Sequence, residues 1–254
     1  MYPENIYPIP IDKSCSNCKL ASNNAVSGNG PEDLSQIKLI LISDYPGAYE
    51  TEFGWPQVPN DWVAKQRDRK PKLPPRPNSG AFIRHMLNEC FGLDTYTNMW
   101  TTNAVKCDPN YENRKLKVAD RIMGICSATW LKSELYTLDQ IVPEVPILAA
   151  GSWALKAVRL VYPDTVPVGG IDTLLRRSGL YAGRHPLVCT YNPATYARSC
   201  GQIETSVRIA KRTGAVEVQA VVPIDNYLYT TTQVYKADLA RLNPFLLPPP
   251  KDEE

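Results

Sequence analysis

The chain has 254 residues, room for one large α/β domain or two small ones, and 43% apolar residues can supply a core; one domain is the simpler reading. With 28 Lys and Arg against 26 Asp and Glu, the net charge of +2 neither demands nor excludes a nucleic-acid partner, so local clustering must decide. No apolar run reaches the roughly 18 residues of a membrane span, and the start MYPENIYPIP lacks the basic-then-apolar order of a secretory signal.

Seven Cys is an odd number, with one close pair and the rest scattered. That usage fits metal ligation in a reducing compartment better than a disulfide scaffold, and the expected location is cytoplasmic.

Along the chain, Cys15-Ser16-Asn17-Cys18 is followed by the turn-rich SNNAVSGNGPED. IKLILIS (37–43) is a short apolar run bounded by turn signals, as expected of a strand buried on both faces of a parallel sheet. It stops at Asp44-Tyr45-Pro46-Gly47, which puts Asp44 at a strand's carboxyl end, where open α/β sheets hold their ligands. A Pro-, Lys- and Arg-rich stretch from Trp55 to Asn78 reads as an exposed insertion, with its basic part at about 59–78. SGAFIRHMLNECFG then predicts an amphipathic helix with Ser79 as cap and Gly92 near its end.

MWTTNAVKC predicts a second strand and residues 118–138 a second helix, and VPILAAG followed by SWALKAVRLVY repeats the pattern. PLVCTY predicts one more strand, ending at Asn192-Pro193, and SVRIAKRTGA a further helix. Residues 215–254 resemble an appendage ending in NPFLLPPPKDEE, an acidic Pro-rich tail suited to a linker or to docking a protein partner. The alternation of strands and helices predicts a three-layer α/β sandwich with a mostly parallel central sheet flanked by helices.

Cys15, Cys18, Cys107 and Cys126 form C-x2-C, a long gap, then C-x18-C. A tetrahedral zinc site usually takes two tight pairs, and only one is tight here. Spacing alone leaves an iron-sulfur cluster, zinc and no metal all open. Cys90, Cys189 and Cys200 read as small buried hydrophobes.

Taken in order, these residues resemble the uracil-DNA glycosylase superfamily, closest to its iron-sulfur family 4. Those enzymes carry an N-terminal CxxC, GEAPG after the first strand, GxPFV, TNVVKC, another Cys, LG..A and TYHPSALLR. The counterparts are Cys15 to Cys18, Ser43 to Gly47, Gly54-Trp55-Pro56-Gln57-Val58, Thr102 to Cys107, Cys126, AAGSWA and Thr190-Tyr191-Asn192-Pro193-Ala194. The match runs from about residue 12 to about 212, and residues 1–214 would be the glycosylase-like domain. It implies a 4Fe-4S cluster on Cys15, Cys18, Cys107 and Cys126.

The implied activity is that of a monofunctional DNA glycosylase, hydrolysing the N-glycosidic bond of uracil or a related modified pyrimidine in single- or double-stranded DNA. No Lys occupies a motif position where an amine nucleophile would be expected. Asp44 stands as the carboxylate beneath the sugar, and Asn103 as the amide that reads the base edge. Without the resemblance, Asp44 reads as a turn-initiating residue and Asn103 as a strand-end cap. Asn192 replaces the His of family 4, as in the Asn-Pro-Ser motif of the mismatch-specific enzymes. Gln57 falls where family 4 has a Phe that stacks on the flipped base, leaving Tyr45, Tyr49, Phe53 or Trp55 to supply a ring.

In the segment after Asn192-Pro193, Tyr196 is expected to wedge into the minor groove and Arg198 to bind phosphate. Lys65, Arg67, Arg69, Lys70 and Lys72 form a basic cluster suited to phosphate contact. The alternative is a catalytically weak or inactive glycosylase-like subunit that binds DNA within a replication or repair complex.

Overall fold

The computed structural model describes residues 18, 20, 25–47, 50–51, 54–57, 79–95, 97–109, 116–175, 177–195, 233 and 235–247. Five strands form its sheet: β1 (Leu39–Ser43), β2 (Met99–Asn103), β3 (Ile147–Ala150), β4 (Tyr181–Ala182) and β5 (His185–Thr190), in the order β2-β1-β3-β5-β4. The pairings β1–β2, β1–β3 and β3–β5 are parallel, the short edge strand β4 runs antiparallel on β5, and Asn29 makes an isolated antiparallel bridge to Thr101 of β2. All five residues of β1 are buried, as its unbroken apolar run requires in the middle of a parallel sheet.

Period-2 alternation sends neighbouring side chains to two different cores. Ile40, Ile42, Ile147, Ala149, Leu187 and Cys189 face one, together with helices α2 (Leu116–Cys126), α3 (Lys132–Ile141) and α4 (Ser152–Val161). Leu39, Leu41, Leu148, Ala150 and Val188 face the other, against α1 (Ser79–Phe91) and residues 235–242. Helices therefore cover both faces of a mostly parallel sheet, in the predicted α/β sandwich.

Several local expectations are refined. The helix anticipated over 118–138 is α2 and α3 joined by a π turn, Ser127–Leu131, with helical dihedrals at both junctions. This widened turn begins directly after Cys126, and no hydrophobic period announces it. α1 begins at Ser79 itself, and Gly92, at φ +64°, follows its last residue in the left-handed region that stops a helix. The edge strand β4 and the short helix α5 (Ile171–Leu174) are additions that the sequence reading lacked.

Within the C-terminal segment, Tyr235, Leu239 and Leu242 are fully buried in the second core, ahead of a last short helix, α6 (Asn243–Leu246). The basic insertion at 59–78 and the helix expected at SVRIAKRTGA lie outside the described residues.

Candidate functional site

The parallel registers align Asn103, Ser43, Ala150 and Thr190 in one row across the carboxyl end of the sheet. The chain leaves β1 toward β2 on one side and returns to β3 on the other, so this row includes the crevice where strand order reverses. Asp44, Gly151 and Asn192 follow directly from that row.

Asp44 is 8% exposed, and both its carboxylate oxygens are engaged. Oδ1 accepts from the backbone N–H groups of Trp153 at 2.9 Å and Ala154 at 3.0 Å, and Oδ2 accepts from Asn192 Nδ2 at 2.8 Å. Gly151, the residue preceding α4, has no side chain to cap those amides, so Asp44 caps the helix from another strand and faces its positive end. Gly151 has φ +131°, and a Cβ there would lie 2.2 Å from Asp44 Oδ1; the glycine is what lets the carboxylate in. Burial pushes the Asp44 carboxyl above its ordinary range, against the lowering effect of its three donors.

Asn192 uses both ends of its amide. Nδ2 donates to Asp44, Oδ1 accepts from Ala194 N at 2.8 Å, and the main-chain carbonyl accepts from Thr195 N at 2.8 Å. Asn at a cap with Pro next is the ordinary start of a helical turn. Two motif residues 148 positions apart thus meet in one hydrogen bond.

Asn103 is 1% exposed; its Oδ1 has no hydrogen-bond partner among the described residues, and its side-chain amide is set against the Glu50 carboxylate. A buried carbonyl oxygen without a donor carries a desolvation cost of about 1–3 kcal/mol that a ligand can relieve. Beside it lies Glu50, whose carboxylate accepts from Gly47 N at 2.7 Å and Gln57 N at 2.6 Å. Burial raises the Glu50 pKa, and its amide donors, with the neighbouring Asn103 side chain, oppose that rise.

Sequence reasoning missed Glu50. The available signal was its place three residues after Gly47, the spacing at which a Glu reaches back to a free amide at a helix start.

Gln57 occupies the left-handed region at φ +58°, a strained conformation for a residue with a Cβ. Its Nε2 donates to Ser43 Oγ at 2.6 Å, its buried Oε1 has no partner among the described residues, and its carbonyl accepts from Arg84 at 3.3 Å. Gly80 lets this turn lie on α1, since a Cβ there would meet Gln57 Cα at 2.9 Å. Tyr45 packs on Trp153 with ring centroids 5.1 Å apart. Asp44, Tyr45, Gln57, Asn103 and Asn192 therefore all stand at or beside the carboxyl end of the sheet, with Glu50 added.

Below Asn103, Lys106 is 1% exposed and donates to both Glu134 oxygens, at 2.9 and 2.7 Å, and to Thr102 Oγ1. Glu134 also accepts from Gly28 N at 3.3 Å, and Lys106 O accepts from Val26 N at 2.7 Å. This buried, fully hydrogen-bonded ion pair fastens residues 26–28 and α3 to the end of β2, one residue before Cys107. Cys18, Cys107 and Cys126 all border the first core, from three separate parts of the chain. Among the described residues no group of three or more His, Cys, Asp or Glu has metal-ligating geometry, and Cys15 lies outside them.

Phe53, Tyr49, Lys65, Arg67, Arg69, Lys70, Lys72, Tyr196, Arg198 and Cys200 also lie outside the described residues. His185 opens β5 at the end of the strand opposite Asn192. It is wholly buried, with Nδ1 2.7 Å from Val145 O and Nε2 3.2 Å from Asp139, and burial lowers its pKa. No helix among the described residues is long and apolar enough to cross a membrane. Comparison with known proteins finds no family model and no curated protein that matches the chain.

Proposed function

We propose that the chain is a monofunctional DNA glycosylase that hydrolyses the N-glycosidic bond of uracil or a related modified pyrimidine, leaving an abasic site. The observation that carries this reading is the convergence of Asp44, Asn192 and the buried Asn103 amide, whose Oδ1 has no partner among the described residues, at the strand-order reversal. The target nucleotide must first leave the helix stack, because the bond is inaccessible inside it.

Water adds across the C1′–N bond: hydroxide goes to C1′, the bond's electron pair goes to the base, and the water proton completes the products. Asp44, held with its charge under the sugar, offsets the positive charge that develops there. Its Oδ2 receives one hydrogen bond from Asn192 and keeps a lone pair to orient the water. Asn192 retains a second amide hydrogen for the base oxygen. Asn103 supplies an acceptor and a donor for the base edge, with Glu50 beside it favouring the orientation that turns Nδ2 toward the carboxylate. Tyr45 and Trp153 offer aromatic surface nearby.

Cys15, Cys18, Cys107 and Cys126 would hold a 4Fe-4S cluster, as the resemblance implies; the three described ones border the first core without forming a metal-ligating group by themselves. Those residues would let such a cluster, when bound, cross-link the N-terminal segment, the end of β2 and the end of α2. It also implies a reducing compartment. The purified protein should be brown with a broad absorption near the violet; a colourless, zinc-containing preparation would overturn this assignment. DNA contacts fall to Tyr196, Arg198 and the basic insertion, and the Pro-rich tail suits docking to a protein partner.

One observation favours a second reading, a glycosylase-like DNA-binding subunit without activity: two of the three donors on Asp44 are helix amides that a purely structural cap would use. Single- and double-stranded oligonucleotides carrying uracil or modified pyrimidines, treated with protein and then alkali, separate the two readings. Strand breaks lost in Asp44→Ala are expected; intact strands on every substrate would leave only the binding role.

A further inference from the structure

The three residues before Asn192 are each gripped from outside the strand. Arg241, in the 3-10 turn Ala240–Leu242, donates through one terminal nitrogen to the Cys189 carbonyl and through the other to the Leu175 carbonyl. Its Nε donates to Asp238 O at 3.1 Å. Leu175 closes α5, and Asp172 of that helix accepts from the Tyr191 hydroxyl. Thr190 Oγ1 lies 3.5 Å from Asp238 Oδ2, while Thr190 O accepts from Gly151 N at 2.9 Å. Arg241 therefore closes a ring that runs through Leu175, Asp172, Tyr191, Thr190 and Cys189.

Tyr235, Leu239 and Leu242 root this segment in the second core with Val188, and the Tyr235 ring packs on Phe82 at 5.2 Å between centroids. A guanidinium suits such a ring because its rigid fork reaches two carbonyls at once, which a lysine ammonium on a flexible stem does not reproduce.

We propose that Arg241, from a segment outside the glycosylase resemblance, is a positioning residue that fixes the end of β5 and thereby holds Asn192 on Asp44. The proposal rests on reading Asp44 and Asn192 as one site, and it needs no catalytic activity to be tested. The three groups that donate to Asp44 are neutral, so losing the Asn192 bond raises the pH at which Asp44 titrates.

The experiment follows the Asp44 side-chain carboxyl carbon by NMR titration of the full chain, assigned with Asp44→Asn. The wild type is compared with Asn192→Ala, Arg241→Lys, the Asn192→Ala/Arg241→Lys double variant and Leu239→Ala, a core truncation that leaves the ring intact. Arg241→Lys is expected to move the Asp44 midpoint upward by most of the shift that Asn192→Ala produces, with no further shift in the double variant. Leu239→Ala should lower the melting temperature yet leave the midpoint in place. Should Arg241→Lys fail to fold, Arg241→Gln gives the same readout.

An unmoved midpoint in the Arg241 variants, or an equal shift in Leu239→Ala, would overturn the positioning role. So would an unmoved midpoint in Asn192→Ala. Intact DNA strands in the alkali assay would sink the glycosylase reading while leaving this titration interpretable.

Discussion

At the scale of single residues, Asp44 caps α4, and the proposed function asks of it a second job whose demands differ. As a helix cap it needs only an acceptor for the Trp153 and Ala154 amides, whereas as a charge under a sugar it must stay ionised. Exchanging the pair separates these roles. Asp44→Asn alone sets its amide against that of Asn192, and Asn192→Asp added to it restores a donor and an acceptor across the 2.8 Å contact. The double variant should recover most of the stability, which the single loses by about 1–2 kcal/mol, without regaining activity, because the carboxylate has moved; denaturant unfolding and the alkali assay check the two halves.

The pH dependence has a definite sign. The folded Asp44 pKa is raised, so activity should fall on the acid side with a midpoint above the ordinary aspartate value. Stability moves the other way. A carboxyl that binds its proton more tightly when folded makes the fold more stable as pH drops through that pKa, and this increment should vanish in Asp44→Asn. Gly151→Ala meets both the 2.2 Å approach to Asp44 and a positive φ. It should cost about 2 kcal/mol or more in unfolding free energy.

At the scale of elements, what could be read from the chain was what has a period or a boundary signal. IKLILIS announced β1 because a strand buried on both faces has no polar position, and Phe82, Ile83, Met86 and Leu87 marked the core side of α1. The π turn after Cys126 was invisible because inserting one residue per turn shifts the apolar stripe without interrupting it. The strained Gln57 turn was equally hidden, since the Gly80 that makes room for it lies in a different element.

The Lys106–Glu134 pair was not legible either, as neither side chain signals burial in sequence. Removing one partner, as in Glu134→Leu, leaves a buried charge and should cost about 3–5 kcal/mol, while Lys106→Met/Glu134→Leu together should recover most of it. Chemical unfolding of the three proteins measures this directly. Leu41→Ala in the centre of the sheet should cost about 2–5 kcal/mol by the same measurement.

At the scale of the molecule, the sandwich brings residues from four strand ends into one row and fastens the row from both faces. Glu134 does so from one side and Arg241 from the other. The ordered motifs located Asp44, Asn103 and Asn192 in sequence, but what each side chain bonds to depends on partners far along the chain: Trp153 for Asp44, and Asp44 for Asn192. Glu50, which no motif singled out, completes the group.

The central claim is that this row breaks an N-glycosidic bond, and mass spectrometry of a uracil-containing oligonucleotide incubated with the protein tests it most directly. The account predicts free base together with an intact strand lighter by the mass of that base less the one water taken up, with both products lost in Asp44→Ala. An unchanged oligonucleotide mass across uracil and modified-pyrimidine substrates, from protein shown to be folded, would contradict it.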